Sequence, residues 1–431
     1  MGDTKNRVSN KIVKRIYCFL ELELASPLNV SSGENILTDM DVLRDAEGNP
    51  FIPGTSVAGA FRGYQKEKED RDNLFGYSDG NTGRMSPVYV SDIYFTGTVN
   101  PAIRDGISLN EGRQVQNKFD CEILETGVQG ILRLEFVIRE RDSEETIRRG
   151  IKTAIAGLGE GEIRFGAKKT RGFGKINVRR VCEKEFQREQ LAEWLKFQAG
   201  GQKADDGAWQ DYQEWKENVS LSKQFLTITV PLIQEGGISI RRYSAKPNEA
   251  DFEHITCNGQ PVIPGSSWNG IFRSAARELL TELKCRKMTA QINKWFGFVE
   301  GKNACQSQVV FSESILRNAD AIPMTRNRIS RFDASTEEGA LYTEIAYFNG
   351  TTDLNISIRK KENDQALAGL VLLLIRDLQN GYLAVGGQTA VGRGIFRRNG
   401  AVRFSETDLE EKDCMQALCH LLEDKTEEVR V

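Results

Sequence analysis

Residues 49–65, NPFIPGTSVAGAFRGYQ, and residues 260–276, QPVIPGSSWNGIFRSAA, are one motif written twice. Each reads as a short strand, a Pro-Gly turn and the start of a helix. After the turn Thr55 or Ser266 is a suitable N-cap. Val57, Phe61 and Tyr64 in the first copy, and Trp268, Phe272 and Ala275 in the second, recur at helical spacing. Three more pairs follow in the same order: NLFGY (73–77) with KWFGF (294–298), SPVYVSDIYF (86–95) with SQVVFSESIL (307–316), and TRGFGKI (170–176) with AVGRGIF (390–396). A period of 211 to 221 residues is too long for a solenoid and is that of a duplicated domain.

Outside these anchors the two halves keep the same rhythm. Ile16, Cys18, Leu20, Leu22 and Leu24 alternate with other residues, as do Leu226, Ile228, Val230 and Leu232, which predicts strands with one buried face. Later strands are marked by Leu132, Leu134, Phe136 and Ile138, and by Leu354, Ile356 and Ile358; helices follow over 144–158 and 364–379, then a Gly-rich turn and a last strand. This βαββαβ order, broken by long excursions at 99–130 and 321–350, predicts an α+β chain of two tandem ferredoxin-like, RRM-like modules. Composition divides the chain into a first module (1–182), an acidic, partly helical connector (183–222), a second module (223–400) and an acidic C-terminal tail (401–431).

The chain has 431 residues and a formal net charge of −3, which alone argues against a nucleic-acid partner. The charge is unevenly spread. Residues 161–180 carry seven Lys or Arg against one Glu, whereas 183–217 have nine acids against five bases and 406–431 nine against three. Basic surface therefore remains available on the modules. The eight cysteines form no CxxC pair and read as reduced thiols. No spanning helix or secretory leader is legible, so a cytoplasmic protein with no membrane partner is expected.

Glycines just before a strand let a backbone approach a ligand and turn peptide N–H groups toward phosphate. GAKKTRGFGKI offers Lys168, Lys169, Arg171, Gly172, Phe173, Gly174 and Lys175 in this way, and GGQTAVGRGIF offers Gly392 and Arg393; the plain alternative is an ordinary tight turn. The polar loop 29–48 holds Asp39, Asp41 and Asp45, which could hold a metal ion or orient a hydroxyl, or simply be solvated. The excursions carry Arg104 and Arg113, then Arg326, Arg328 and Arg331 in IPMTRNRISR, where no acid intervenes, a pattern suited to a backbone-tracking stripe. Phe119 and Phe332 follow at similar places and could wedge against bases or be core. With His254 and His420 alone, a two-histidine ribonuclease or a zinc hydrolase has little material, and P-loop and Rossmann fingerprints are missing.

Taken together, SPLNVSSGE, then D-x-D-V-L-R-D-x-x-G-N-P-F-I-P-G-T-S-x-x-G-x-x-R, then K-K-T-R-G-F-G, resembles the backbone subunits of type III CRISPR effector complexes, members of the RAMP superfamily. The likeness runs over most of residues 10–180; the second half, 223–400, keeps IPGSSxxGxxR and the Gly-rich turn. Two modules on one chain are similar to the tandem-fused backbone subunits of type III-D variants.

The resemblance implies a prokaryotic antiviral ribonucleoprotein, with guide RNA, single-stranded target RNA and other RAMP and effector subunits as partners. It implies thumb-hairpin insertions, and a metal-dependent endoribonuclease whose aspartate falls on Asp39, with Asp41 as near neighbour and Mg²⁺, or Mn²⁺ in its place, held at Asp39. Straight alignment puts Ala250 at that position in the second module, with Asp251 one place off. Ser31, Ser32, Gly33, the helix starts at Ser56 and Ser267, Arg62, Arg273 and the Gly-rich turns are implied to lie along the guide. The rival readings are a non-catalytic guide-binding scaffold, a guide-precursor processing endoribonuclease, and a metabolic enzyme on duplicated domains.

Overall fold

The computed structural model describes residues 10–31, 33, 38–80, 82–109, 114–217, 219, 221–243, 250–285, 288–301, 303–361, 363–405 and 410–423. By internal packing the chain divides into two units: Met1–Ile103 with Asp120–Ala167 and Gly174–Lys223, and Arg104–Phe119 with Lys168–Phe173 and Gln224–Val431.

The first unit runs β1 (Ile12–Leu24), β2 (Phe51–Ile52), α1 (Gly54–Tyr64), α2 (Lys68–Phe75), β3 (Val88–Val90), β4 (Ile93–Phe95), β5 (Gln129–Arg139), α3 (Glu144–Gly159), β6 (Ile176–Gln187) and α4 (Leu191–Ala199). β1 is central and pairs antiparallel with β5 on one side and β6 on the other, while β3 and β4 line the far edge of β5. Its alternation is the period-2 pattern read from the sequence: Ile16, Cys18, Leu20, Leu22 and Leu24 are buried against Val57 and Phe61 of α1 and Ile147, Ile151 and Ile155 of α3. α3 begins where Ser143 accepts a hydrogen bond from the Thr146 N–H at 3.3 Å, satisfying a first-turn donor.

The opposite sheet face is also covered. Tyr17, Phe19, Cys182 and Phe186 alternate with the core residues and pack on Phe197 of α4, with Trp194 and Trp209 beside them. Trp194 Nε1 and Gln198 Nε2 both donate to the Tyr17 hydroxyl, at 3.0 and 2.7 Å. Charge alone starts a connector at 183, but the strand continues to Gln187, and the segment beyond it belongs to the first unit, where Trp194, Phe197 and Trp209 pack on the sheet.

The second unit repeats the plan with β7 (Phe225–Glu235), α5 (Gly265–Glu282), α6 (Met288–Phe296), β8 (Val309–Phe311), β9 (Tyr342–Phe348), β10 (Thr351–Arg359), α7 (Asp364–Gln379), β11 (Ile395–Arg398) and α8 (Glu411–Glu423). β11 pairs with β7, β7 with β10, and β10 with β8, all antiparallel. In both units the neighbours along the sheet are thus the fourth, first, third and second principal strands of the module. The acidic C-terminal stretch read as a tail contains α8, whose Cys414 and Leu418 are buried in the second core. Their i, i+4 spacing makes one face of this charged helix apolar.

Each module carries an insertion ahead of its third strand: a two-stranded ribbon of Ala102–Leu109 and Val115–Ile123 in the first, and Asp320–Arg326 paired with β9 in the second. Among the described residues no helix is long and apolar enough to cross a membrane.

One crossing is built identically in both units. The Gly174 N–H donates to Pro27 O at 2.8 Å and the Gly394 N–H to Gly237 O at 2.8 Å. A Cβ at Gly174 would lie 1.9 Å from the Phe165 carbonyl oxygen, and one at Gly394 1.9 Å from that of Val385. Both glycines also have positive φ, +78° and +73°.

His254 is enclosed in the second unit. The Ile240 N–H donates to its Nδ1 at 3.0 Å, which leaves the proton on Nε2, 2.9 Å from Val262 O. Burial lowers its pKa from 6.5 to about 4.

Two outcomes are expected. Gly394→Ala should cost more than about 3 kcal/mol, since the methyl meets a fixed carbonyl. Gly392→Ala, at φ +81° but in open space, should cost about 1–2 kcal/mol; denaturant unfolding measures both. As pH falls from about 6.5 to about 4 the unfolded chain takes up a proton at His254 that the folded chain refuses, so stability should drop by on the order of 3 kcal/mol over that window. His254→Gln should flatten this slope in melts taken between pH 4 and 7.

Candidate nucleic-acid interface

The loop after β1 is held by its own carboxylates. Asp41 is buried and its Oδ1 accepts from the Thr38 N–H and hydroxyl, both at 2.8 Å. Asp45 Oδ1 accepts from the Glu47 and Asn49 N–H groups at 3.0 and 2.8 Å. These two aspartates shape turns. Asp39 differs: it is exposed, its N–H donates to Asp120 Oδ1 at 2.9 Å, and its Oδ2 accepts from the Asp120 N–H at 3.1 Å.

Asp120 lies on the returning strand of the first insertion, so this reciprocal pair pins the loop to the insertion's root. Two residues on, Glu122 accepts from the Val42 N–H at 2.9 Å and from both Arg44 Nη atoms, at 2.9 and 2.7 Å. The Arg44 guanidinium holds the Glu122 carboxyl below the usual carboxylate range. Ser31 is exposed, with its Oγ accepting from the Gly33 N–H at 3.1 Å. Ser32 and Arg113 lie outside the described residues.

Register identifies the equivalent place in the second unit. The Leu24 N–H donates to Val128 O and the Gln234 N–H to Gly350 O; four residues on, Leu28 bridges Leu124 and Ile238 pairs with Tyr347. Four residues before those partners stand Asp120 and Thr343. The Thr343 N–H donates to Asp251 Oδ2 at 2.7 Å. Asp251, not Ala250, is therefore the register counterpart of Asp39. By the same register Phe119 corresponds to Tyr342, and Phe332, fully exposed beyond the paired strands, has a different place.

Several expected RNA ligands are engaged elsewhere. Arg62 Nη1 donates to Gly76 O at 2.6 Å and Nη2 pairs with Asp72 at 3.0 Å. Arg273 Nη1 donates to Gly297 O at 2.7 Å and Nη2 to Asn293 Oδ1 at 3.2 Å. Both arginines clamp the Phe-Gly turn that ends the next helix, α2 or α6. Arg326 meets the wholly buried Glu344 at 3.8 Å and Gln388 at 3.1 Å, and Arg328 pairs with Glu337 at 3.1 Å. The local sequence shows no acid, but β9 and the insertion's tip supply one to each. Arg331 is exposed.

The helix starts also differ from expectation. Pro53 and Pro264, not Thr55 and Ser266, are the N-caps, because each helix begins at the glycine of the turn. Ser56 is exposed and Ser267 partly so. At α1 the Gly54 N–H is already taken by Asp92 Oδ1 at 2.7 Å, whereas the matching Glu313 in the second unit pairs with Arg104. Asp92 and Asp120 were not legible as site residues, since nothing in their spacing names their partners, and Arg104, read from the sequence as an RNA-facing arginine, pairs with Glu313 instead.

The Gly-rich turns are near copies. Lys168 and Gln388 have φ of +54° and +57°, and Gly172 and Gly392 of +90° and +81°. Lys168 Nζ lies 4.8 Å from the Phe119 ring centre, Lys169 is exposed, Phe173 is buried, and the Arg393 guanidinium stacks on Phe348 at 4.8 Å. Gly174 serves its own chain, as the crossing shows. Within the second unit the Arg171 carbonyl oxygen would lie 2.3 Å from a Cβ on Gly265, so this turn rests on the first residue of α5. Arg171 Nη1 is buried and makes no hydrogen bond. Burial, with Arg273's charge adding to it, lowers the Arg171 pKa to about 10. A cation so placed beside another cation is suited to an anionic neighbour.

Among the described residues no three His, Cys, Asp or Glu side chains gather as a metal group. No curated protein matches the chain. The family model of the RAMP superfamily matches residues 21–177 and 236–397, one match on each repeat. With both repeats matched over well more than half of its length, the chain belongs to the RAMP superfamily, the RNA-binding proteins of CRISPR-associated antiviral defence, and carries two of its modules in tandem.

Proposed function

We propose that this chain is a double backbone subunit of a type III effector, of the tandem-fused type III-D-like kind. In this role it binds guide RNA and cuts complementary target RNA at Asp39. The strand order in each unit supports ferredoxin-like modules, and the two insertions are the thumbs. Guide phosphates are met by Lys168, Lys169 and Arg171 on one turn and Arg393 on the other. The unpaired guanidinium of Arg171 beside Arg273 supports this assignment.

The observation that carries cleavage is the reciprocal Asp39–Asp120 pair, which fixes one exposed carboxylate at the root of an insertion. A thumb that displaces one target base swings the adjacent 2′-hydroxyl in line with its phosphodiester. Asp39 takes the 2′ proton, O2′ bonds to phosphorus, and the P–O5′ bond breaks. The products are a 2′,3′-cyclic phosphate and a 5′-hydroxyl end protonated by solvent. Alignment supplies much of the acceleration. The exposed Asp39 carboxylate offers hard oxygen and would hold a Mg²⁺ or Mn²⁺ ion that keeps most of its water, whose charge would offset that of the phosphate.

Asp39→Ala in the assembled complex should slow cutting about 10²–10⁴-fold at the first-module site, with guide and target binding unchanged. Cutting that stays at wild-type rate at every site would end the assignment and leave a guide-binding scaffold.

A further inference from the structure

Asp39 is held by a neighbour that the fold supplies in the first module and omits in the second. The loop carrying Asp39 and the returning strand of the insertion meet through two hydrogen bonds that close on each other, one from each backbone N–H to the other residue's carboxylate. The two bonds fix different things. Asp120 Oδ1 holds the peptide of Asp39, setting where its Cα stands, while the Asp120 N–H holds Asp39 Oδ2, setting how its carboxylate is turned. A single bond would leave the side chain free to pivot with the loop.

The second unit has only half of this arrangement. Asp251 Oδ2 accepts from the Thr343 N–H at 2.7 Å, matching the bond that orients Asp39. Thr343 has no carboxylate to return the other bond, and its hydroxyl lies 3.0 Å from that of Thr325.

We infer that Asp120 is a positioning residue for Asp39, acting as the acceptor that fixes its backbone, and that Thr343 in its place makes the second module the slower cutter. This rests on the reading of Asp39 as the cutting residue. The role requires an acceptor oxygen at one place, not a negative charge. Asn keeps that oxygen, Ala removes it, and Glu keeps the charge while moving the oxygen outward by one methylene.

The test is single-turnover cleavage of a guide-complementary RNA by the assembled complex, with the rate followed separately at each cut. Asp120→Ala should lower the maximal first-site rate at least tenfold without changing the target concentration giving half-maximal rate. Asp120→Asn should stay within about threefold of wild type, and Asp120→Glu should fall with Ala. A first-site rate within twofold of wild type in Asp120→Ala, or an Asn variant as slow as the Ala variant, overturns the inference. If Asp120→Ala does not assemble, the Asn and Glu variants decide it alone, and equal rates in those two overturn it. Failure of the underlying reading shows separately, as wild-type cutting at every site in Asp39→Ala. A second-site rate equal to or above the first overturns the statement about Thr343.

Discussion

The crossing of the Gly-rich turn over the exit of the first strand is the constraint on which each module is built. The turn's last glycine gives its N–H to the residue just past that strand, Pro27 in one unit and Gly237 in the other, and presses against a carbonyl at a distance no side chain allows. Two consequences follow. The last strand must then lie beside the first, because the chain leaves the crossing already in register with it. The loop that leaves the first strand must also start beside the turn, so Asn29 O receives the Ala167 N–H at 2.7 Å. Asn29 and Ala167 are thus neighbours in space although more than a hundred residues separate them in sequence.

The repeat was legible because its anchors are the two ends of shared contacts. IPG-x-S-x-x-G-x-x-R and the Phe-Gly pair are joined by Arg62 to Gly76 O and Arg273 to Gly297 O. The serine of SPV or SQV ties the same turn to the next strand: Ser86 Oγ donates toward Leu74 O at 3.0 Å, and Ser307 Oγ toward Trp295 O at 3.1 Å. A guanidinium reaching a carbonyl, or a glycine under a carbonyl, has almost no substitute, whereas a buried Val can become Ile or Phe with modest repacking. The residue identities that survive between the halves are therefore the geometric ones, and the cores agree only in pattern.

The same logic explains what could not be read. Periodicity located β1, β5, β7, β10, α3 and α7 because burial of one face is a local property of the sequence. Partner choice is not local. Arg326 and Arg328 look like free cations in IPMTRNRISR, yet their acids arrive from β9 and from Glu337. Helix starts moved because each helix begins at the glycine of the Pro-Gly turn, which places Thr55 and Ser266 inside the first turn rather than ahead of it. From the residues themselves Asp39 was one of three loop aspartates, and only the family resemblance singled it out; its structural distinction is Asp120, which lies 81 positions away and carries no motif.

Electrostatics then separates what the fold needs from what it leaves open. Arg62, Arg273 and Arg326 have their charge or their donors met inside the protein. Arg171 is different: it is largely shielded from solvent, next to a like charge, with one buried nitrogen unbonded. Its pKa of about 10 keeps it charged at neutral pH, so the folded protein carries a half-buried cation with one nitrogen that makes no hydrogen bond. Such a group is stable only because the surrounding packing outweighs it, and an anion placed there recovers the desolvation cost. An interface assembled from groups already desolvated in the free protein spends less of its binding free energy on stripping water.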